Sequence, residues 1–122
     1  MIKLIFCVRR RHGLTHDEFL EWWRATHAQV VVSRAEALGI RRYVQLHTME
    51  TPVNEVLRGS RGAPEPFDGI AEVWFESLDQ MTSAMNRSEA RDAARAVLED
   101  EARFIDHARS PIFLADEHVV ID

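Results

Sequence analysis

The chain is poor in sulfur, in basic residues and in long apolar runs, and each shortage removes a class of function. One cysteine, Cys7, rules out an internal disulfide, and a lone thiol inside the apolar run from Ile2 to Val8 is expected to be a small buried hydrophobe without a redox role. No stretch approaches the roughly 20 apolar residues that a membrane span requires. The N-terminal MIKLIFCV is too short for one, and its positive charges follow the apolar segment instead of preceding it as in a signal peptide. No membrane partner and a cytoplasmic location are therefore expected. Lys and Arg number 15 against 20 Asp and Glu, for a formal net charge of −5, and only Arg9, Arg10 and Arg11 cluster. That is no footprint for nucleic acid, whose phosphates call for a basic face. Walker, GxGxxG and GxSxG motifs are absent, which leaves nucleotide and serine-hydrolase chemistry without support. His12 and His16 straddle a turn with no third ligand at a telling spacing, so neither a metal site nor a bound cofactor is expected.

What is present is a 122-residue chain with 46% hydrophobic content, enough for one domain spanning residues 1–122 with a real core. Its organising stretch is THDEFLEWWRATHAQVVV, Thr15 to Val32. Thr15 with Glu18 forms a capping box, so a helix begins there. At helical spacing Phe19, Leu20, Trp23, Val30 and Val31 share one stripe, with His27 in its middle, and Gly39 supplies the stop. A single helix of roughly six turns is predicted. His27 has an ordinary reading, a core histidine bonded to a backbone carbonyl, and a functional one, a buried base.

Around this helix Ile2–Val8 reads as a buried strand. IRRYVQLHTM, from Ile40 to Met49, alternates, and the period-2 reading puts Val44 and Leu46 under the helices and Tyr43, Gln45 and His47 on the other face. Residues 51–68 carry Pro52, Gly59, Gly62, Pro64 and Pro66, which predicts a long loop with one helical turn near Asn54 to Leu57 and a candidate role as a lid. Gly69–Glu76 is a third strand, with Ala71, Val73 and Phe75 on one face and Ile70, Glu72 and Trp74 on the other. Ser77 with Gln80 opens a short helix, and Asn86 and Arg87 break it. Ser88 caps another, whose apolar positions Ala94, Val97, Leu98, Ala102 and Ile105 run to about Asp106. A last strand is expected within Pro111 to Ile121.

This order predicts an α+β fold: a ferredoxin-like βαββαβ protomer with a four-stranded antiparallel sheet and both helices on one face. Tyr43, Gln45, His47, Ile70, Glu72 and Trp74 would then line the uncovered face, a set too apolar to leave in water. A homodimer packing two such faces together would cover it and enclose a cavity.

The segments FLEWWRATHAQVV, RRYVQLH, FDGIAEVWFESLD and DEARFID, in that order, resemble the EthD domain family of dimeric α+β barrel proteins over nearly the whole chain. The resemblance implies a dimeric barrel, with a cavity in each protomer for a hydrophobic, often aromatic ligand. It also implies kinship with small cofactor-free cyclases, dehydratases, decarboxylases, lactone isomerases and quinone-forming monooxygenases, and with proteins that have no assigned activity. The family's helix histidine maps onto His27 and its strand acid onto Glu72.

The chemistry then expected is proton transfer on a small aromatic or polyketide-like substrate by a cofactor-independent lyase or isomerase. His47 is a candidate base near neutrality, and Tyr43, on the same strand face, a donor to an enolate oxygen. Glu72 beside Trp74 is a candidate acid, or an ordinary partner of Arg42. His27 is a second base or an orienting residue. Trp74, Trp23, Trp22, Gln45 and Phe113 would line the pocket, or in the case of the aromatics be plain core. His107, past the last helix, suits that helix's negative end, and His118 suits the surface. The rival class is a non-catalytic protein that binds a hydrophobic metabolite or assists a partner oxidase. A third is a cofactor-free monooxygenase.

Overall fold

A computed structural model describes residues 1–122. Its elements are β1 (Ile2–Val8), α1 (His16–Glu21), a π-helical segment (Trp22–His27), α2 (Ala28–Leu38), β2 (Ile40–His47), α3 (Pro52–Arg61), β3 (Gly69–Phe75), α4 (Leu78–Ala84), α5 (Ser88–Glu101), a 3₁₀ turn (His107–Arg109) and β4 (Ile112–Ala115). The four strands form one sheet in the order β2-β3-β1-β4 with every neighbour antiparallel. This is the ferredoxin-like α+β architecture. The helical layer packs on one sheet face, with α2 against α5, and Phe6, Val8, Phe19, Trp23, Ala71, Phe104 and Ile105 form the core between the layers. No helix is long and apolar enough to cross a membrane.

The capping box forms as its spacing predicts: the Glu18 N–H donates to the Thr15 hydroxyl at 3.1 Å and the Thr15 N–H to the Glu18 carboxylate at 3.0 Å. The helix it opens is not regular. Between α1 and α2 the chain widens into the π segment, where the Ala28 N–H reaches the Trp23 carbonyl five residues back. Gly39 then ends α2 at φ 75°, a left-handed position that suits a residue without a Cβ.

Two other expectations give way. Residues 52–61 are not a loop with a single turn but the whole of α3. Thr51 accepts from the Val53 N–H, Pro52 occupies the first helical turn and Gly62 takes the left-handed cap, so the same Pro and Gly that read as loop punctuation bound a helix. Ser88 does not cap α5; it lies inside the helix, and Arg87 holds the cap position without a side-chain bond. The last strand falls, as expected, within Pro111 to Ile121, at Ile112–Ala115, while Val119, Val120 and Ile121 beyond it are exposed.

The largest correction concerns β2. A bulge between Ile40 and Arg42 breaks the period-2 count, after which Tyr43, Gln45 and His47 sit opposite Val73, Ala71 and Gly69. They therefore share the helix-covered face. Arg42, Val44 and Leu46 sit opposite Trp74, Glu72 and Ile70 on the open face, where β1 and β4 add Lys3, Ile5, Cys7 and Phe113.

The turn before β3 is tied down by Asp68, which is buried and accepts from the Arg10 N–H at 2.8 Å and the Arg10 guanidinium at 2.6 Å. His16 Nδ1 lies 2.8 Å from the same carboxylate. Burial opposes the charge, but these partners together hold the carboxyl below its ordinary range. The turn delivers Gly69 directly beneath Trp23. A Cβ there would overlap both the Trp23 ring and the Leu46 carbonyl oxygen. Gly69→Ala should thus cost about 1–3 kcal/mol, the range for overpacking a filled core, read from urea unfolding midpoints. An unchanged midpoint would mean that Trp23 has room to move.

Candidate active site

The stripe that carries Trp23 and His27 faces α5, and α5 answers it with two acids. Ala90, Ala93, Val97, Asp100 and Phe104 recur at spacings of three and four, so Asp100 falls on the buried side of that helix. Its carboxylate oxygen Oδ2 lies 2.7 Å from His27 Nδ1. Both residues are buried, His27 at 3% and Asp100 at 6% exposure. A carboxylate only accepts, so Nδ1 carries the proton and Nε2 is left as the basic nitrogen. Phe104 packs against the imidazole, ring centroids 5.0 Å apart. Two acids in the last turn of a helix oppose its dipole. The opposition is offset locally: Asp100 Oδ1 is 3.7 Å from Arg103, and the neighbouring Glu101 accepts from His107 Nε2 at 3.0 Å.

Between this wall and the sheet lies a cavity of about 350 Å³. Hydrophobic residues make up 15 of its 17 lining positions, among them Leu4, Val31, Val73 and Ile112, and the two others are His27 and Glu101. Tyr43, counted among the hydrophobic lining, adds a hydroxyl. The space thus combines an apolar body with three convergent proton-handling groups. Burial pushes the Glu101 carboxyl up, partly offset by its bond to His107 and by His27. Burial likewise pushes the Tyr43 phenol up, with the hydrogen bonds from Gln45 and Trp23 acting the other way. Both groups are thereby biased toward holding their protons, as donors should be.

The residues singled out from sequence divide by face. His27, Tyr43 and Trp23 line the cavity together. Gln45 and His47 are one step behind it: Gln45 Nε2 donates to Tyr43 Oη at 2.8 Å and to the Trp23 carbonyl at 2.9 Å, and His47 Nε2 lies 2.9 Å from Gln45 Oε1. His47 also packs on the Trp23 ring, centroids 5.2 Å apart. Burial, with the charges of Arg24 and His16, holds its imidazole below the ordinary histidine value. Trp22 turns away onto Phe104, with a buried indole N–H that has no partner in the protein.

Glu72, Trp74 and Phe113 are on the open face, across the sheet from the cavity, and cannot share a site with His27 inside one protomer. Glu72 is paired, though with Lys3 at 3.2 Å and not with Arg42. Trp74 is flanked by Lys3 and Arg42, 4.5 and 4.7 Å from its ring centre. The acids that face the helix histidine come from α5 instead. Their signal was legible as a polar pair falling on the stripe of Ala93, Val97 and Phe104.

Fold and cavity together define a small ferredoxin-like α+β protein with a half-open apolar site bearing acid and base groups. The chain belongs to the EthD domain family, whose model matches residues 11–108. Among solved structures it resembles an ethyl tert-butyl ether D (EthD) family protein of Bacillus halodurans, at 17% identity and a TM-score of 0.64 over 97% of this chain and 99% of that one. An EthD-like protein of Ralstonia eutropha is similar at 18% identity and a TM-score of 0.55, covering 99% of this chain and 93% of that one. SnoaB of Streptomyces nogalater, described as a cofactor-independent oxygenase, aligns at 12% identity and a TM-score of 0.55 over 98% and 95% of the two chains. These are likenesses of fold. No curated protein sequence matches the chain.

The Glu101 environment has a measurable consequence. A carboxyl whose folded pKa exceeds its unfolded one binds more protons when folded, so stability falls as pH rises from the ordinary carboxylate range to the raised value. Glu101→Gln stays neutral throughout and keeps an oxygen for His107. Its urea midpoint should exceed that of the native chain at pH 7, and the two should converge below the ordinary glutamate range. Equal midpoints at every pH would show that the site does not hold Glu101 against its charge.

Proposed function

We propose that this protein is a cofactor-independent lyase or isomerase, of the dehydratase, cyclase or decarboxylase type, acting by proton transfer on a small aromatic or polyketide-like substrate. One observation carries the reading: His27, whose Nδ1 is held by Asp100, lines an apolar cavity that Tyr43 and Glu101 also line. In a dehydration, His27 Nε2 removes a proton from the carbon next to a substrate carbonyl. Asp100 stabilises the imidazolium that forms, and the Tyr43 hydroxyl donates to the developing enolate oxygen. Glu101, which burial biases toward its protonated form, gives its proton to the departing hydroxyl, which leaves as water. The proton on His27 returns to Glu101 through solvent before the next turnover. The mostly hydrophobic lining suits a ring system and strengthens each of these electrostatic contacts.

A second reading has a specific support. SnoaB, described as a cofactor-independent oxygenase, resembles this chain in fold over nearly its full length. A monooxygenase reaction would begin with the same deprotonation and differ in consuming dioxygen. A binding or accessory protein would use the cavity without turnover.

A panel of hydroxylated aromatic ketones, phenols, quinones and lactones separates the three. In the favoured case a substrate is converted without oxygen uptake, and His27→Ala lowers kcat by about 10²–10⁴-fold while retaining ligand affinity, the usual range for losing a general base. Asp100→Asn should approach the same loss by permitting the wrong tautomer. Oxygen consumed in step with product would select the oxygenase. Ligand binding with no turnover across the panel would select the binding protein.

We further infer a homodimer. The open face carries Leu46 at 46% and Phe113 at 51% exposure beside Ile5, Val44, Ile70 and Trp74, which supports its burial against a second copy. Light scattering at micromolar concentration should give twice the chain mass, and Leu46→Glu should halve it without unfolding the protomer. A native chain that stays monomeric would overturn this inference.

A further inference from the structure

Gln45 is the side chain that joins Tyr43, one of the cavity's three proton-handling groups, to the helical segment that carries His27. It stands on β2, outside the cavity lining, and its amide is fully used. One N–H goes to the Tyr43 hydroxyl at 2.8 Å, the other to the Trp23 carbonyl at 2.9 Å, and Oε1 faces His47 Nε2 at 2.9 Å. Each bond has a direction. Because the amide nitrogen only donates, the Tyr43 oxygen accepts from it and the phenolic proton must point elsewhere; Tyr43 lines the cavity. Because Oε1 only accepts, the facing nitrogen of His47 carries a hydrogen, which fixes the amide against flipping.

The third bond acts on the helix. The Trp23 carbonyl already receives the Ala28 N–H across the π turn. A second donor arriving from the sheet is the kind of insertion into the helical ladder that sustains such a turn. His27 is the last residue of that segment. Reversion to α-helical bonding would move the register by one residue and rotate His27 relative to Asp100.

We propose that Gln45 is a positioning residue that, resting on the reading of Tyr43 as donor and His27 as base, aims the Tyr43 proton into the cavity and holds the π turn that presents His27. His47 serves as its outer anchor. The residue touches no substrate and acts through its neighbours.

The experiment needs no substrate at its first stage. The chain has one tyrosine, so the phenolate absorbance change in an alkaline titration reports Tyr43 alone. Gln45→Met removes both donors at similar volume. Its tyrosine should ionise at higher pH than in the native chain, because the amide bond that favours the phenolate is gone. Nitrogen NMR of the His27 ring should show the Nδ1-protonated tautomer in the native chain and a loss of that fixed state in Gln45→Met. Should Gln45→Met fail to fold, His47→Ala frees Oε1 and should move the tyrosine titration in the same direction by a smaller step. With a converted substrate in hand, Gln45→Met should lower kcat by about 10²-fold with little change in KM, as expected when reacting groups are misplaced by about 1 Å.

A tyrosine titration unmoved in both variants would overturn the proposal, as would a kcat loss with the titration and the His27 tautomer intact. If the titration and tautomer move yet no compound is turned over, Gln45 keeps its positioning role and the catalytic reading is the one that fails.

Discussion

Trp23 can occupy its place only because Gly69 has no side chain. The indole is 1% exposed and sits where a Cβ on β3 would have to be. From that contact the rest of the site follows. Seating the ring against the strand brings the Trp23 carbonyl within reach of Gln45, and that bond meets the helix where its hydrogen bonding widens from four residues to five. The widened turn ends at His27, which meets Asp100 from the opposite helix. A close approach of backbone and ring thus sets the orientation of an imidazole on a different residue four positions later.

Polar groups inside a small domain are costly unless each finds a partner. Here the partners form two chains. On the sheet, His47, Gln45, Tyr43 and the Trp23 carbonyl satisfy one another. On the helices, His27 meets Asp100 and His107 meets Glu101. The groups at the inner ends of these chains, Tyr43, His27 and Glu101, are the ones that reach the cavity. Satisfaction on one side and an apolar cavity on the other leave each of them with hydrogen-bonding capacity beside that cavity. The partnerless indole N–H of Trp22 marks how complete the pairing is elsewhere among buried side chains.

Much of the architecture was legible because it rests on local signals. The Thr15 capping box, the Gly39 stop, the strands β1 and β3, and the break between α4 and α5 all depend on residues close in sequence, and they together dictate the ferredoxin-like order. The site was legible only in part, because it depends on parity and register. One extra residue at the β2 bulge exchanged the faces of Tyr43, Gln45 and His47 with those of Val44 and Leu46, which carried the polar strip from the open face to the cavity side. The π segment has no composition of its own, since its extra residue is held by a side chain from another element. Asp100 and Glu101 stood on the correct stripe of α5. A rule that expects acids on the solvated face passes over them, and only the arrival of His27 and His107 explains their position.

The two sheet faces differ in the partners their acids meet. On the open face Lys3 pairs with both Glu72 and Glu117 at 3.2 Å, so these acids are matched by a cation. On the covered face the acids are matched by histidines, groups that change charge near neutrality. The same residue type, Glu, thus meets a lysine at position 72 and a histidine, His107, at position 101. On the proposed reading, that difference of partner is why the acid and base groups gather in the helix-covered cavity and not on the open face.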